Sequence, residues 1–411
     1  MANGRIKILE RAFFQLLVFL LPTQLGLHFW PEWAFVYGIR VDYFSPTIYI
    51  TDIVLALLLF IYLLNGRKTK KLISRRALLI LGAVTTLSFL NIVSSQNWQV
   101  AFLKWLKIFE ASTLTLYIIF SKSMNFRKLV KTPLIFGVIM ISLIAIAQVS
   151  LQRTIGGPFY LMGERSFSAS TPGIALVSFF GSETMRAYSI FSHPNSFAGF
   201  LSVSLLLLWS LSSKKKRRLL VPTILGVLAL VFSFSRGAFL SLFLILVITT
   251  IAKRGLLNFK KMTKALLVTS ISISILFPIL SRGALMKSSL SESVAMRIKL
   301  SDVAGKLIAK SPLVGVGLNN FIVHSPAEMA RESFSWSLQP VHNIFLLVFA
   351  ELGLVGVLML MFLFWKALEN RKYALPFLFV LVSGAFDHYW LTLQQNVLLL
   401  ALLFGLSFRK A

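Results

Sequence analysis

Apolar residues fall along this chain in long blocks separated by short polar stretches. A helix that crosses the hydrocarbon core of a bilayer needs ~20 predominantly apolar residues. About twelve blocks meet that requirement, near 11–28, 47–65, 77–96, 101–120, 132–151, 195–211, 219–234, 237–252, 265–281, 342–365, 375–391 and 393–408. The pattern predicts an all-α polytopic membrane protein with about twelve transmembrane helices, a single integral membrane domain over 1–411. Three of the connecting segments have some size: 29–46, 152–194 and 282–341, the last being the longest and lying between spans nine and ten. Within it, RIKLSDVAGKLIAK at 297–310 puts apolar residues at helical spacing with basic ones between them, which predicts an amphipathic helix lying on the bilayer. PLVGVGLNN at 312–320 reads as a tight turn, too polar for lipid and part of a loop long enough to cover a site.

Composition supports the membrane reading. Hydrophobic residues make up 57% of the chain and charged ones 14%, a balance that would leave a soluble domain with far too much apolar surface. Cysteine is absent, which removes disulfide and thiolate chemistry. The net charge of +28 invites a nucleic-acid reading, but the charges sit in short clusters between apolar runs, with no basic groove interleaved with aromatics. Seven segments, 1–11, 66–76, 121–131, 212–218, 253–264, 366–372 and 409–410, hold 28 of the 42 Lys and Arg and only two acids, Glu10 and Glu369. The excess of Lys and Arg on cytoplasmic loops then predicts both termini inside, an even number of spans, and the long loops outside. The first span lacks a convincing cleavage site and reads as an uncleaved anchor.

Against this background a few outward polar residues need another explanation. Arg186 precedes FSHPN at 191–195; Arg236 stands in FSRGA, a hairpin too short for a soluble loop; Arg282 follows span nine; and Arg297 opens the loop helix. A guanidinium offers planar, bidentate donors to phosphate and stays charged at every relevant pH. The alternative for each is an interfacial Arg that snorkels or caps a helix. His342 begins a span beside Asn343, and histidine suits proton transfer near neutral pH; the alternative is an interfacial His satisfied by backbone. In the spans, Lys104, Lys107 and Glu110 share one helical face, Asp52 begins span two and Glu351 lies inside span ten. Ionisable groups at depth are functional by default, with a helix–helix salt-bridge network as the competing reading. Asp387-His388 ends span eleven beside the aromatic belt residues Tyr389 and Trp390. No outward carboxylate pair has metal-ligand spacing, so no metal site is expected.

His342-Asn343, nine residues, then Gly353-Leu-Val-Gly356 resembles the His-Asn/Ser/Gln-x9-Gly-x-x-Gly pattern of the O-antigen ligase and O-antigen polymerase superfamily. Glu351 stands just before the first glycine, as is frequent there. Three further parts follow the family's order: SHPN at 192–195 with Phe197-Ala-Gly199, the Ser235-Arg236 hairpin, and Arg297 followed by SPLVGVG at 311–317. Each motif is short; four in order, all on the outward side, are more specific. The resemblance runs over roughly 186–408.

It implies a lipid-linked glycosyltransferase of GT-C-like fold in the bacterial cytoplasmic (inner) membrane, with its active site extracytoplasmic. Neither cofactor nor nucleotide sugar is implied, nor any nucleic-acid partner. The donor would be a glycan on undecaprenyl diphosphate, moved with inversion to an acceptor hydroxyl of a lipid or glycan. In that scheme His342 takes the acceptor proton, and Arg236 and Arg297 hold the departing diphosphate. Arg186, Arg282, His193, Asn195, Asn343 and Glu351 are expected to bind substrate, and His193 competes with His342 for the base role. Transfer to lipid A-core, as in lipopolysaccharide assembly, is favoured over polymerisation of lipid-linked repeats. Protein glycosylation remains open, and a lipid-linked glycan transporter is the reading from another class, though no internal repeat supports it.

Overall fold

The computed structural model of the chain describes residues 2–65, 75–121, 124–179, 181–212, 216–281, 292–329 and 338–409. Arg282 lies outside the described residues, as do most of segment 66–76 and parts of 282–341. Fifteen α-helices run through what is described. They are α1 (Ala2–Leu20), α2 (Ile50–Leu64), α3 (Arg75–Val93), α4 (Trp98–Phe120), α5 (Phe126–Leu151), α6 (Pro194–Leu211), α7 (Leu220–Phe232), α8 (Arg236–Lys253), α9 (Phe259–Ser281), α10 (Glu292–Lys310), α11 (Phe321–Glu328), α12 (Ile344–Leu368), α13 (Ala374–Gly384), α14 (Tyr389–Thr392) and α15 (Gln394–Phe408).

A helix overlaps each of the twelve segments expected as spans. Five of them, α5, α6, α8, α9 and α12, are long and apolar enough to cross a membrane by length and composition. Helices α2, α13, α15 and the 81–93 part of α3 are apolar but shorter. Large apolar side chains stay exposed in rows on the outer helices: Leu220, Ile224, Val227 and Val231 on α7, Phe239, Phe243 and Leu246 on α8. Exposed apolar surface on that scale needs a non-aqueous solvent, and a bilayer supplies it. The protein is an integral membrane protein.

Two boundaries depart from the hydrophobic blocks. Helix α1 ends at Leu20, before Pro22, so the apolar residues that follow form a loop whose Gly26–His28 (β1) pairs antiparallel with Thr47–Tyr49 (β4). Between these lie Phe35–Val36 (β2) and Ile39–Arg40 (β3), also paired; Leu176–Phe179 (β5) pairs with Ser182–Met185 (β6). The fold is therefore mostly helical, with three small two-stranded sheets in its loops. Helix α13 stops at Gly384 rather than continuing to 391, and the polar pair Asp387-His388 lies in the turn that follows.

Every residue of α13 except Leu375 is buried. A helix apolar on all sides belongs at the centre of a bundle, and α13 packs there against α6, α8, α9 and α12. The surface helix expected at 297–310 is longer and placed differently. Helix α10 begins at Glu292 and buries Ile298, Leu300, Val303, Ala304 and Leu307, packing on α9, α11 and α12. Its apolar stripe meets protein rather than lipid because α9 and α12 present an apolar wall beside it.

The two glycine motifs belong to one joint. Helix α12 kinks at Gly353, whose φ of 64° and ψ of −164° only glycine adopts without strain. There the turn 312–317 docks on the helix backbone. The amides of Val316 and Gly317 donate to the carbonyls of Ala350 and Glu351 at 2.9 and 3.1 Å, and Leu354 N–H donates to Pro312 O at 2.8 Å. A Cβ at Gly353 would stand 2.2 Å from the Leu313 backbone, and one at Gly315 would stand 2.2 Å from the Glu351 backbone. The glycines permit a backbone-to-backbone contact that fixes the long loop to the span bearing His342.

Candidate active site

Residues from eight stretches of the chain line a cavity of about 790 Å³. His342, His193, Asp387, His388 and Gln339 line it at one end, and Asp52, Lys104, Lys107, Glu110, Gln394 and Gln395 line it elsewhere. The loop 42–49 and the segment 160–165 supply further walls.

Asp387 is the hub. Its Oδ1 lies 3.5 Å from His342 Nδ1 and accepts the His388 N–H at 2.8 Å; its Oδ2 accepts from Asn195 Nδ2 at 2.9 Å. At 3.5 Å the His342 contact is electrostatic more than a formed hydrogen bond. His342 Nδ1 has no other partner among the described residues, and the carboxylate is what this nitrogen faces. Burial of Asp387 opposes its ionisation, but the facing His342, with His388 and His193, outweighs this and holds the carboxyl well below the usual carboxylate range. An ionised Asp387 favours the tautomer of His342 with its proton on Nδ1 and the lone pair on Nε2. Nε2 is 3.2 Å from Gln339 Oε1, and both residues line the cavity; with the proton on Nδ1, the Nε2 lone pair is met by Gln339 once its amide is turned to present the NH2 end.

His193 has the opposite arrangement. It caps α6, and its Nδ1 accepts the Asn195 N–H at 3.1 Å. Neutral His193 therefore carries its proton on Nε2, where it is a donor and has no lone pair for an acceptor proton. His388 is buried, with Nδ1 2.8 Å from Thr392 Oγ1 and its ring 5.1 Å from that of His342. Burial lowers its pKa to about 3 despite the charge of Asp387. Tyr43 packs edge-on against it, ring centres 5.7 Å apart.

Arg186, Arg236 and Arg297 lie on the other flank of Asp387, and none of the three lines the cavity, although Arg165 does. Arg186 donates through Nη2 to Asn195 Oδ1 at 2.8 Å and through Nε to Ser233 O at 2.8 Å. Burial lowers its pKa, and the nearby charges of Arg236 and Arg297 push the same way, against those of Tyr188 and Asp387. Arg297 Nη1 donates to Phe386 O at 2.7 Å, next to Asp387. Arg236, the first residue of α8, is exposed. Arg186 and Arg297 thus stand beside Asp387, with Arg236 near Arg186, a surplus of positive charge that suits a polyanion.

Three expected substrate ligands have other partners. Both ends of the Asn343 amide are used: Oδ1 accepts from Phe345 N and Leu346 N, capping α12, and Nδ2 donates to Ser274 Oγ and Ala385 O. Asn343 ties α12 to α9 and to the end of α13, which sets the distance from His342 to Asp387. Glu351 is buried away from the cavity and accepts from Phe321 N at 3.3 Å, holding the 319–321 turn. Asn195, likewise, bridges Arg186 to Asp387.

The family comparison covers the middle part of this constellation. Residues 221–361, about a third of the chain, match a family model described as O-antigen ligase. This is the family to which the motifs pointed. The match supports the O-antigen ligase superfamily and, with it, a glycosyltransferase-type function on lipid-linked glycans in a membrane. The O-antigen ligase match contains Arg236, Arg297 and His342 and leaves Arg186, His193, Asp387 and His388 outside it. No curated protein matches the chain.

Asp387 and His388 are the residues to which sequence reasoning gave no role. Their signal was present, since a charged Asp-His pair closing an apolar block needs a partner, but their nearness to His342 depends on the packing of α12 against α13. That packing also brings ligating atoms of His342, Asp387 and His388 within 4.8 Å of one another, a grouping that spacing along the chain does not reveal. Its atoms are already engaged: His388 Nδ1 with Thr392, and Asp387 with Asn195 and the His388 amide. Those partners hold Asp387 and His388 in place, while His342 Nδ1 faces Asp387 at 3.5 Å without a formed hydrogen bond.

Proposed function

We propose that this protein is a glycosyltransferase of the O-antigen ligase type, transferring a glycan from undecaprenyl diphosphate to an acceptor hydroxyl at the outer face of the bacterial cytoplasmic membrane. The observation that carries the reading is His342, oriented by Asp387 and open to a cavity, with Arg186, Arg236 and Arg297 on the opposite flank. In this reading the twelve helices that overlap the apolar blocks are spans, both termini are cytoplasmic, and the cavity opens outward; the distribution of Lys and Arg supports that orientation.

The chemistry needs little beyond these groups. The acceptor oxygen attacks the anomeric carbon as its proton passes to His342 Nε2. The bond from that carbon to the diphosphate oxygen breaks, and the electron pair leaves with the diphosphate, giving inversion. Asp387 stabilises the imidazolium that forms. Arg236 and Arg297, with Arg186, neutralise the leaving group, so positioning and charge supply most of the rate. The neutral tautomer of His193 makes it a donor to substrate, which leaves His342 as the base. No resident metal enters the scheme.

Reconstitution in vesicles with a labelled undecaprenyl-diphosphate glycan and two acceptors, lipid A-core and a second lipid-linked repeat, tests it. Growth of lipid A-core supports ligase-type transfer. Growth of the lipid-linked repeat makes the protein a polymerase, and transfer to neither overturns the reading.

A further inference from the structure

The cavity continues well beyond the catalytic end. Its lining reaches Glu110, twelve residues into α4 and hence ~18 Å from the start of that helix at a rise of ~1.5 Å per residue. Part of this arm is an ion-pair network. Lys107 contacts Asp52 directly and Glu110 Oε2 at 3.2 Å, and Gln394 Nε2 donates to Asp52 Oδ1 at 2.7 Å. The network leaves three cavity-lining groups unused. Lys104 has no carboxylate at ion-pair distance among the described residues, and the buried atoms Glu110 Oε1 and Gln395 Nε2 have no hydrogen-bond partner. Gln395 is only 3% exposed. Buried polar atoms are almost always satisfied, so two such atoms around one space, with Lys104 beside them, point to a ligand that satisfies them.

We propose that this arm is an acceptor subsite that holds an uncharged sugar residue next to the one attacked, through hydrogen bonds to Lys104, Glu110 and Gln395. The inference rests on the glycan-transfer reading above. Two lysines face two carboxylates in the arm, and Asp42, Glu164, Arg165 and Asp387 line the rest of the cavity, so carboxylates outnumber cations on its walls and an anionic ligand is disfavoured. Donors and acceptors alternate, which fits hydroxyls, since each both donates and accepts. Tyr43 and Tyr49 line the same space and add apolar wall to it. A volume of about 790 Å³ falls in the range that encloses a ligand of drug size, more than one sugar ring. The subsite belongs to the acceptor, because Arg186, Arg236 and Arg297, which suit a diphosphate, lie outside the cavity while His342 lines it.

The test uses the acceptor that the wild-type protein extends, measured two ways. In vesicles, Lys104→Met and Gln395→Leu are each expected to raise the acceptor KM about tenfold, the size of one lost hydrogen bond to a buried group, with the donor KM unchanged within twofold. Lys104→Arg restores part of the loss, which a purely structural lysine would not require. Gln395→Leu makes the same test without altering charge. The second measurement is acceptor binding to His342→Ala protein with and without Lys104→Met, which reports the subsite whether or not His342 is the base. Unchanged acceptor KM and binding in both folded variants overturns the subsite, as does an effect on donor KM alone. An acceptor with a hexuronic acid at the neighbouring position is expected to bind at least tenfold more weakly; tighter binding refutes an uncharged ligand.

Discussion

Replacing Asp387 by Asn is the most informative perturbation of the proton relay, because it keeps shape and removes only the charge that His342 faces. A carboxylate ~4 Å from a full positive charge stabilises it by about 4 kcal/mol at the effective dielectric of a protein surface. The contact measures 3.5 Å, and the His342 side chain is 19% exposed, so water screens part of that attraction. A loss of about 2–3 kcal/mol in the transition state remains, roughly 30–150-fold in kcat. The amide also adds an N–H where Oδ1 or Oδ2 now accepts, so the His342 tautomer is no longer enforced, and the loss acts in the same direction. The assay is single-turnover transfer in vesicles at saturating donor and acceptor, with thermal unfolding of the purified variant as a control on folding. A folded Asp387→Asn protein within threefold of the wild-type kcat refutes the orientation of His342 by Asp387.

Other outcomes follow from the same geometry. Arg236→Ala is expected to weaken binding of undecaprenyl diphosphate about tenfold or more, read by titration of the purified protein, and unchanged affinity removes it from the donor site. Gly353→Ala, at positive φ and against the Leu313 backbone, is expected to cost roughly 2–4 kcal/mol, seen as a lower Tm and reduced yield in detergent; an unchanged Tm contradicts the joint between α12 and the 312–317 turn. His388 has a folded pKa of about 3, below its ordinary 6.5, so the unfolded chain binds the extra proton between these values. Stability conferred by neutral, buried His388 is therefore full above pH 6.5 and falls as pH drops towards 3. His388→Gln is expected to flatten the dependence of Tm on pH below 6.5, and an unaltered slope counts against this burial.

The helical bundle was readable because membrane helices are specified by long apolar blocks, and each block coincides with a helix. Block edges misled where a proline or a polar pair ended the helix early, as at Pro22 and Asp387. The arginines were noticeable because they oppose the distribution of charge on the other loops. Arg186, Arg236 and Arg297 do approach one another, whereas Arg282 lies outside the described residues. The partner of His342 was not readable. Asp387 is far away in sequence, and only the central placement of α13 aligns the two. Asn343 and Glu351 stand in the recognisable motif, yet their bonds run to backbone and loop, so their pattern reflects how His342 is held. For Lys104, Lys107, Glu110 and Asp52 the choice between network and function was open, and the structure contains elements of both: Lys107 and Asp52 are paired, and Lys104 is not.

The most direct measurement is transfer by His342→Ala in vesicles that contain undecaprenyl-diphosphate glycan and the acceptor extended by the wild-type protein. The side chain truncates at a partly exposed position, so insertion and Tm are expected to stay near wild type. Loss of the general base predicts a fall in kcat of roughly 100-fold to 10,000-fold with donor affinity retained. Transfer at the wild-type rate by stably inserted His342→Ala protein contradicts the account.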